Sequence, residues 1–460
     1  MMKKAFRIAT ALTITAALGI GMAGCSVNTK TAGDSEKESK TETAGEETAE
    51  KTEDKKEETA STGDEKVITM WHIQTQDVVA KTIEDSMRRF EADNPGYKVD
   101  VVAMANDAYK TKLVTAMAAG ELPDIFIHWT GGPMTSYVDS DMLYDLTDLM
   151  NENGYKDEFL DASITQATYQ DKIWAVPVEN VSPALLYYNK DMFAEYGLNA
   201  PTTLDEFEQV CDALLEKGKV PIALANKTKW TGSIIYGYIL DRIAGATAFE
   251  DAYSGERSFT EDDYLKAAEK FQDWAEKGYF GDDFNALDYD SGQDRNMLYN
   301  GDAGMYIMGG WFLFTAQAEA PDYVEKIGII QFPANSDSKG SAADYIGTIG
   351  DNFYSVAKSS ENPEMAFKAI TYLLDDTAVQ ERIDEGKIPP LKDIELTDEL
   401  SIAISDAAQS AEYMQLWLDQ YLPNEQSEIH KDGVQQLLDG SITPEEYGKM
   451  MDDTIAALNK

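Results

Sequence analysis

Trp71, His72 and Trp129 are the first side chains whose positions suggest contact with a ligand. Trp71 and His72 lie near the end of V-I-T-M-W-H-I, and Trp129 ends D-I-F-I-H-W. Both runs are typical of buried strands, and a parallel sheet binds ligands at the carboxyl ends of its strands. A flat aromatic ring can stack on a ligand, and an imidazole can hydrogen-bond to one. Core packing explains these residues equally well, so both interpretations stay open.

The sequence offers little for catalysis or metal binding. It contains no phosphate loop, zinc-protease motif, C-x-x-C or G-x-S-x-G, and it has only three histidines. The stretch D-Y-D-S-G-Q-D at 288–294 resembles a calcium loop, but its glycine comes one place early and Tyr299 replaces the bidentate glutamate. We therefore expect a solvated loop, no metal and no cofactor. The paired carboxylates of a carbohydrate hydrolase leave no local spacing signature, so that alternative stays open.

The elements that must position these residues alternate between strand and helix. Helical spacing joins Val79 to Phe90, and N-P-G at 94–96 should end that helix. A second helix is expected from Ala108 to Ala119, closed by Gly120. Strands precede, separate and follow these helices: V-I-T-M-W-H-I, Y-K-V-D-V-V-A-M and D-I-F-I-H-W. This order predicts an α/β fold with a parallel sheet.

The rest of the chain repeats an α/β pattern and becomes mainly helical after Glu361. Strands are expected at 172–178, at 184–190, before Trp311 and in I-G-I-I-Q-F-P. Thr203 and Glu206 form the capping box of a helix that carries Cys211 on its apolar face. Cys211 is therefore expected to be a small buried hydrophobe without chemistry.

Composition excludes several classes of protein. The 460 residues leave room for two or three domains. The 83 acidic residues against 39 basic ones give a net charge of −44, which repels phosphate backbones, so nucleic-acid binding is not expected. A hydrophobic content of 43% indicates a globular protein rather than a wholly disordered chain.

The first 66 residues differ from the rest. Basic residues at 3, 4 and 7, an apolar run from Ile8 to Ile20 and M-A-G-C at Cys25 are typical of an export signal at 1–24. The run resembles a bacterial lipoprotein signal, whose cysteine carries diacylglycerol, although Met22 replaces the usual leucine; plain secretion is the alternative. Residues 25–66 hold 13 acidic and 7 basic residues and no aromatic, which predicts a disordered tether.

The chain as a whole resembles a known family. The resemblance rests on the order of these segments: F-E-A-D-N-P-G-Y-K-V, Y-K-T-K-L-V-T-A-M-A-A-G-E-L-P-D-I-F, K-I-W-A-V-P-V, L-Y-Y-N-K-D-M-F-A-E-Y-G-L, N-G-D-A-G-M-Y-I-M-G-G-W, G-K-I-P-P and D-Q-Y-L-P. In this order, behind a lipoprotein-like signal, they resemble the extracellular solute-binding proteins of sugar ABC importers, the maltose-binding-like group.

The resemblance implies a periplasmic-binding-protein-like fold, with two α/β lobes joined by a hinge and a ligand cleft between them. The first lobe would comprise 67–178 and 344–393, and the second 179–343 and 394–460. The protein would be a monomer and not an enzyme, lipid-anchored on the extracytoplasmic face of the membrane. It would deliver its ligand to ABC permease subunits.

The resemblance also implies a set of ligand-binding residues. A sugar ring presents C–H groups that suit an aromatic face, while its hydroxyls need paired donors and acceptors. The residues at matching positions are Trp71, His72, Gln74, Trp129, Glu179, Asn180, Trp230, Trp311, Asp351, Asn352 and Asp419. A neutral oligosaccharide is expected because the acidic body disfavours anions at a distance. A secreted carboxylate-dependent hydrolase and an envelope adhesin are the alternatives.

Overall fold

The computed structural model describes residues 65–458, and the strands there form two larger sheets and one hairpin. The export signal, Cys25 and most of the expected tether lie outside the described residues. The strands are β1 (Lys66–His72), β2 (Tyr97–Ala103), β3 (Ile125–His128), β4 (Thr168–Tyr169), β5 (Lys172–Ile173), β6 (Val176–Pro177), β7 (Val181–Asn189), β8 (Val220–Ala223), β9 (Ala303–Gly309), β10 (Ile327–Ile330), β11 (Asp344–Ile349), β12 (Phe353–Val356) and β13 (Tyr413–Gln415).

Helices surround both sheets. They are α1 (Asp77–Asp93), α2 (Asn106–Ala119), α3 (Gly132–Asp139), α4 (Thr147–Asn151), α5 (Asp161–Gln166), α6 (Lys190–Tyr196), α7 (Leu204–Glu216), α8 (Trp230–Ala244), α9 (Ala248–Ser254), α10 (Asp262–Glu276), α11 (Gln293–Tyr299), α12 (Phe312–Glu319), α13 (Pro321–Val324), α14 (Pro363–Thr371), α15 (Asp376–Asp384), α16 (Glu399–Gln409), α17 (Leu418–Tyr421), α18 (Asn424–Leu438) and α19 (Pro444–Leu458). Short 3₁₀ segments lie at Glu152–Glu158, Asn226–Thr228 and Tyr372–Leu374. No helix within 65–458 is long and apolar enough to cross a membrane.

The first sheet has the strand order β2-β1-β3-β12-β6. Strand β1 is parallel to β2 and β3, while β12 is antiparallel to β3 and β6. The three strands and two helices predicted between 67 and 129 are confirmed. Helix α1 ends at Asp93 with Asn94 as its C-cap, and α2 ends where Gly120 adopts a left-handed φ of 69°.

The second sheet has the order β13-β11-β7-β9-β8, with β10 also paired to β7. Strand β7 runs antiparallel to β9, β10 and β11 and forms the middle of the sheet. The single strand expected at 172–178 is wrong. It divides into β5 and β6 because its two halves pair with different strands. A turn at Gln170 and Asp171, with φ of 52° and 60°, pairs β5 with β4, whereas β6 pairs with β12.

Each sheet has its own hydrophobic core. One cluster of buried side chains includes Phe90, Phe126 and Tyr354 around the first sheet, and the other includes Leu186, Tyr306 and Trp274 around the second. The predicted α/β fold with two sheet-containing lobes is therefore confirmed. Strand β11 pairs with β7 and β13, so the chain returns to the first sheet after Ile349, later than the boundary expected at 344.

Helix α7 forms as its sequence predicts. The Thr203 side chain accepts a hydrogen bond from the Glu206 backbone N–H at 3.2 Å, and Glu206 reaches back to the backbone N–H of Thr202 at 2.8 Å. Cys211 is a free, fully buried thiol on the apolar face of this helix. Burial raises the pKa of this thiol well above its ordinary value, which suits a packing residue rather than a nucleophile.

Candidate ligand-binding site

A cavity lies between the two lobes. The first lobe contributes the residues after β1, the start of α2 and the residue after β3: Ile73, Gln74, Thr75, Gln76, Ala105, Asn106, Lys110 and Trp129. The second lobe contributes Trp230, Ile234, Tyr289, Asp290, Arg295, Trp311, Phe314, Thr315, Trp417, Asp419 and Gln420. Asp351 and Asn352 come from the crossing between β11 and β12. The cavity thus touches both lobes and the hinge.

Aromatic rings of the second lobe form one wall of the cavity. The centroids of Trp230 and Tyr289 are 4.6 Å apart, and those of Trp311 and Trp417 are 5.3 Å apart. The indole N–H of Trp311 donates to the hydroxyl of Tyr289 at 2.9 Å. These contacts fix the rings against one another and leave a preformed aromatic surface.

Local sequence explains how Trp311 reaches this wall. It follows β9 directly and precedes α12, in the run G-G-W. A methyl group at Gly309 would overlap the ring of Trp311. Glycine at the end of β9 therefore leaves the space that the indole needs.

Four buried polar atoms on the cavity residues lack a hydrogen-bond partner within the described chain. Two are donors, the indole N–H groups of Trp230 and Trp417, and two are acceptors, Oδ1 of Asn352 and Oε1 of Gln420. A buried polar group without a partner costs about 1 to 3 kcal/mol. A ligand that both donates and accepts hydrogen bonds would satisfy these atoms.

The charges in the cavity are mixed. The guanidinium of Arg295 is bound by both carboxylate oxygens of Glu319 at 2.8 Å, so it is already neutralised. Lys110 lies over the ring of Trp129 at 4.6 Å. Burial lowers the pKa of Lys110, and the charge of Asp419 opposes that effect. Burial and the charge of Glu179 raise the pKa of Asp351 to about 7.

Seven of the residues predicted from the sequence line this cavity: Gln74, Trp129, Trp230, Trp311, Asp351, Asn352 and Asp419. Trp71, His72, Glu179 and Asn180 are not among its lining residues. The structure therefore brings together the second-lobe tryptophans and the β11–β12 crossing, but not the end of β1 or the first crossing strand.

Trp71 and His72 miss the cavity because they still belong to β1. The ammonium of Lys112 lies 4.1 Å from the ring centroid of Trp71, which packs beside α2. His72 is buried, and its Nδ1 accepts from the backbone N–H of Gln74 at 3.1 Å. Burial lowers its pKa to about 4, although Glu179 acts in the opposite direction. The residues that reach the cavity begin at Ile73, after the strand ends.

Glu179 is held in a buried ion cluster instead of facing the cavity. Its carboxylate accepts hydrogen bonds from Arg382 at 2.9 Å, Lys387 at 2.8 Å and the Tyr354 hydroxyl at 3.2 Å. Burial alone would raise its pKa, but the charges of Arg382 and Lys387 prevail and lower it to about 2.

Asn180 joins the three segments that pass between the sheets. Its side-chain oxygen accepts from the Ile388 N–H at 2.6 Å, and its backbone oxygen accepts from the Gly350 N–H at 3.0 Å. The next residue, Val181, donates to the Ile388 carbonyl at 2.8 Å. Glu179 and Asn180 therefore stabilise the hinge.

Several cavity residues are not among those predicted from the sequence. They are chiefly Lys110, Tyr289, Asp290, Trp417 and Gln420. Lys110 lies in Y-K-T-K-L and Gln420 in D-Q-Y-L-P, two of the segments that carry the resemblance, so the signal was present. Nothing in the sequence near Tyr289 indicated that its ring faces a ligand cavity.

The calcium-like stretch has another use in the fold. Within the described chain no group of three or more His, Cys, Asp or Glu side chains is placed to hold a metal ion. Asp288 accepts from Lys227 at 2.8 Å, and Asp290 accepts from the Asp107 backbone N–H at 3.0 Å. Asp294 is fully buried and accepts from the Tyr306 hydroxyl at 2.7 Å, so the stretch is not the simple solvated loop that was expected.

Comparison with protein families matches residues 74–380 to the family described as bacterial extracellular solute-binding protein. This range covers most of the chain and both lobes. The resemblance inferred from the sequence is confirmed, and so is the prediction of a binding protein rather than an enzyme, because the matched family consists of binding proteins.

Individual relatives and solved structures support the same family assignment. The multiple sugar-binding protein of Streptococcus mutans is 25% identical over 72% of this chain and 76% of its own length. A structure described with xylan utilization by the thermophilic bacterium Caldanaerobius polysaccharolyticus has a TM-score of 0.78 and 31% identity, covering 85% of this chain and 100% of that one. A chitin oligosaccharide binding protein gives a TM-score of 0.78 and 26% identity, over 86% of this chain and 100% of its own.

Proposed function

Because this chain belongs to the bacterial extracellular solute-binding protein family, we propose that it captures a neutral oligosaccharide between its lobes and delivers it to a membrane permease. The family and the sugar-binding relatives support the broader role, the substrate-binding component of a sugar ABC transporter. We also propose that the first lobe comprises 67–178 and 350–393 and the second 179–349 and 394–460, with the chain crossing back to the first lobe after Ile349.

The observation that carries the sugar proposal is the combination of aromatic rings and unpaired polar atoms in one cavity. Trp129 of the first lobe and Trp230, Trp311 and Trp417 of the second line it. Their faces suit the C–H surface of a pyranose. The unpaired atoms include two donors and two acceptors, which suits the hydroxyl groups of a sugar because each hydroxyl both donates and accepts.

The cavity charges favour a neutral ligand. Arg295 is neutralised by Glu319, and the remaining lining cation, Lys110, is offset by Asp290 and Asp419. A strong anion would also meet a body with 70 acidic and 29 basic residues from 67 to 460. Several indoles on two walls suit more than one sugar ring. The chitin oligosaccharide binding protein, at 26% identity, supports an oligosaccharide here.

A thermal-shift screen followed by calorimetry tests the proposal. The panel contains neutral oligosaccharides, the corresponding monosaccharides and sugar acids. A ligand of micromolar Kd at millimolar concentration adds about 4 kcal/mol of apparent stability. We expect binding of a neutral oligosaccharide without turnover. Binding of a sugar acid alone would contradict the neutral-ligand proposal, and hydrolysis of the ligand would favour the hydrolase alternative. No response across the panel would favour the adhesin.

We also propose that the protein is anchored by a lipid on Cys25, at the extracytoplasmic face of the membrane. The support is the export signal at 1–24 and the acidic, aromatic-free stretch at 25–66. Cys25→Ala should release the protein from washed membranes, and mass spectrometry of the wild-type N-terminal peptide should show a diacylglycerol on Cys25. A membrane fraction unchanged by the substitution would contradict the anchor.

A further inference from the structure

An acidic loop of the second lobe contacts a helix of the first lobe directly. Oδ2 of Asp290 accepts a hydrogen bond from the backbone N–H of Asp107 at 3.0 Å, across 183 positions of sequence. Asp107 is the second residue of α2. The two lobes are therefore joined at the edge of the cavity by a protein contact that needs no ligand.

Helix α2 has no capping side chain of its own. The residue before it is Ala105, which offers no hydrogen-bond acceptor beyond its backbone. The first backbone N–H groups of any helix lack partners within that helix. In four other described helices the preceding residue supplies a side-chain cap: Asn189 for α6, Thr203 for α7, Asp375 for α15 and Asp398 for α16. Asp290 gives α2, from the opposite lobe, what these helices obtain from their own sequence.

Lys110 adds a second connection one turn further along α2. Its ammonium lies 4.6 Å from the ring centroid of Trp129, in its own lobe, and 5.7 Å from that of Trp230, in the other. In the described part of the chain its Nζ has no hydrogen bond to a protein acceptor and no ion pair within 4.0 Å. Burial and the charge of Asp290 raise the pKa of the Asp107 carboxyl, and the positive charge of Lys110 opposes that rise.

We propose that Asp290 is an inter-lobe cap for α2, which stabilises the arrangement of the lobes in which Asp290 and Asp107 are in contact, here called the closed arrangement, before a ligand binds, and positions Lys110 between the two indoles. Opening the lobes would break the hydrogen bond between the Asp107 N–H and the half-buried carboxylate of Asp290. This contact therefore favours the closed arrangement even when no ligand is bound. The proposal rests on the proposed function, because closure serves ligand capture. Apparent affinity then depends on the fraction of closed molecules.

The test measures the distance between the lobes without ligand. The experiment uses the full chain with Cys25→Ser, in which the remaining native cysteine, Cys211, is buried. Cysteines introduced at the exposed positions Glu121 and Glu256 therefore take the spin labels selectively. We expect Asp290→Ala to shift the distance distribution toward longer distances and Asp290→Asn, which keeps an acceptor, to shift it less. Sugar affinity should fall about tenfold for Asp290→Ala, the usual scale for one hydrogen bond to a charged acceptor.

Asp288→Asn is the matched control. It removes a charge from the same loop, but its partner Lys227 lies in the same lobe, and the amide oxygen can still accept from Ser291. Hydrogen exchange provides a second measurement: amides in the first turn of α2 should exchange faster in Asp290→Ala, while those of α7, capped by Thr203, should not. Equal melting temperatures would establish that each variant is folded.

Coincident ligand-free distance distributions for Asp290→Ala and the wild type would overturn the proposal. So would equal opening in Asp288→Asn, because the effect would then follow loop charge and not the cap. Both outcomes are read without ligand. If the protein bound no sugar but the inter-lobe distance still increased in Asp290→Ala, the proposed ligand would be contradicted and the inter-lobe cap would be supported.

Discussion

Replacing Glu179 by glutamine separates a role in the hinge from a role in the ligand site. The substitution keeps the size of the side chain and removes its charge. Arg382 and Lys387, both 0% exposed, then lose the carboxylate that binds them. The pKa of Glu179 is lowered from 4.5 to about 2. At about 1.4 kcal/mol for each pKa unit, this net shift corresponds to about 3 kcal/mol in favour of the ionised carboxylate, after the cost of its burial is included.

The expected loss of unfolding free energy in Glu179→Gln is therefore about 3 kcal/mol, within the range for breaking a buried ion pair by removing one partner. Urea unfolding at pH 7 measures it. Because the folded-state pKa of Glu179 is lowered, its contribution is complete above pH 4.5 and is lost as the pH falls toward 2. The variant should lack this part of the acid dependence.

A double variant, Glu179→Gln with Lys387→Met, provides the internal control. Removing one of the two uncompensated cations should restore part of the stability, at least about 1 kcal/mol. A loss below about 1 kcal/mol in Glu179→Gln, together with a large loss of sugar affinity, would refute the hinge role. That result would indicate that Glu179 contacts the ligand.

Three further substitutions test the cavity and the contact between the lobes. Trp311→Ala should weaken sugar binding by about 2 to 4 kcal/mol in calorimetry, as loss of an aromatic anchor does, whereas Trp71→Ala should leave it unchanged; equal effects would contradict the placement of the cavity. Asp351→Asn should stabilise the protein more at pH 8 than at pH 5, by about 3 kcal/mol in urea unfolding. The pKa of the wild-type carboxyl is raised from 3.8 to about 7 in the folded state, so its cost to folding grows as the pH rises from 3.8 to about 7. The same difference between variant and wild type at both pH values would refute this. Gly132→Ala should lower sugar affinity because its methyl group would overlap the carbonyl of Leu422 on the opposite lobe. Gly440→Ala, whose methyl group meets nothing within 4 Å, should lower stability because of its φ of 71° but leave sugar affinity unchanged. Unchanged affinity in Gly132→Ala would show that the contact with Leu422 is not needed for binding.

The ligand site shows where reasoning from local sequence is sufficient. The position of Trp311 follows from a strand that ends in two glycines, and that of Trp129 from a buried strand followed by a loop. Both features depend on neighbouring residues only, so they can be recognised in the sequence without a structure. Trp71 has the same residue type at the end of a similar run, but it lies inside β1 and packs beside Lys112. A strand boundary shifted by two residues therefore decides whether a side chain reaches the cavity.

The sequence by itself determined the alternation of strands and helices, the capped helix at Thr203, the buried Cys211 and the resemblance to solute-binding proteins. These depend on periodicity and on neighbours a few positions apart. Only the tertiary structure decided that Glu179 and Asn180 belong to the hinge, and that Asp290 caps a helix 183 positions away. The energy of a buried charge or an uncapped helix end depends on which partner the fold brings to it, and that partner leaves no mark in the adjacent sequence.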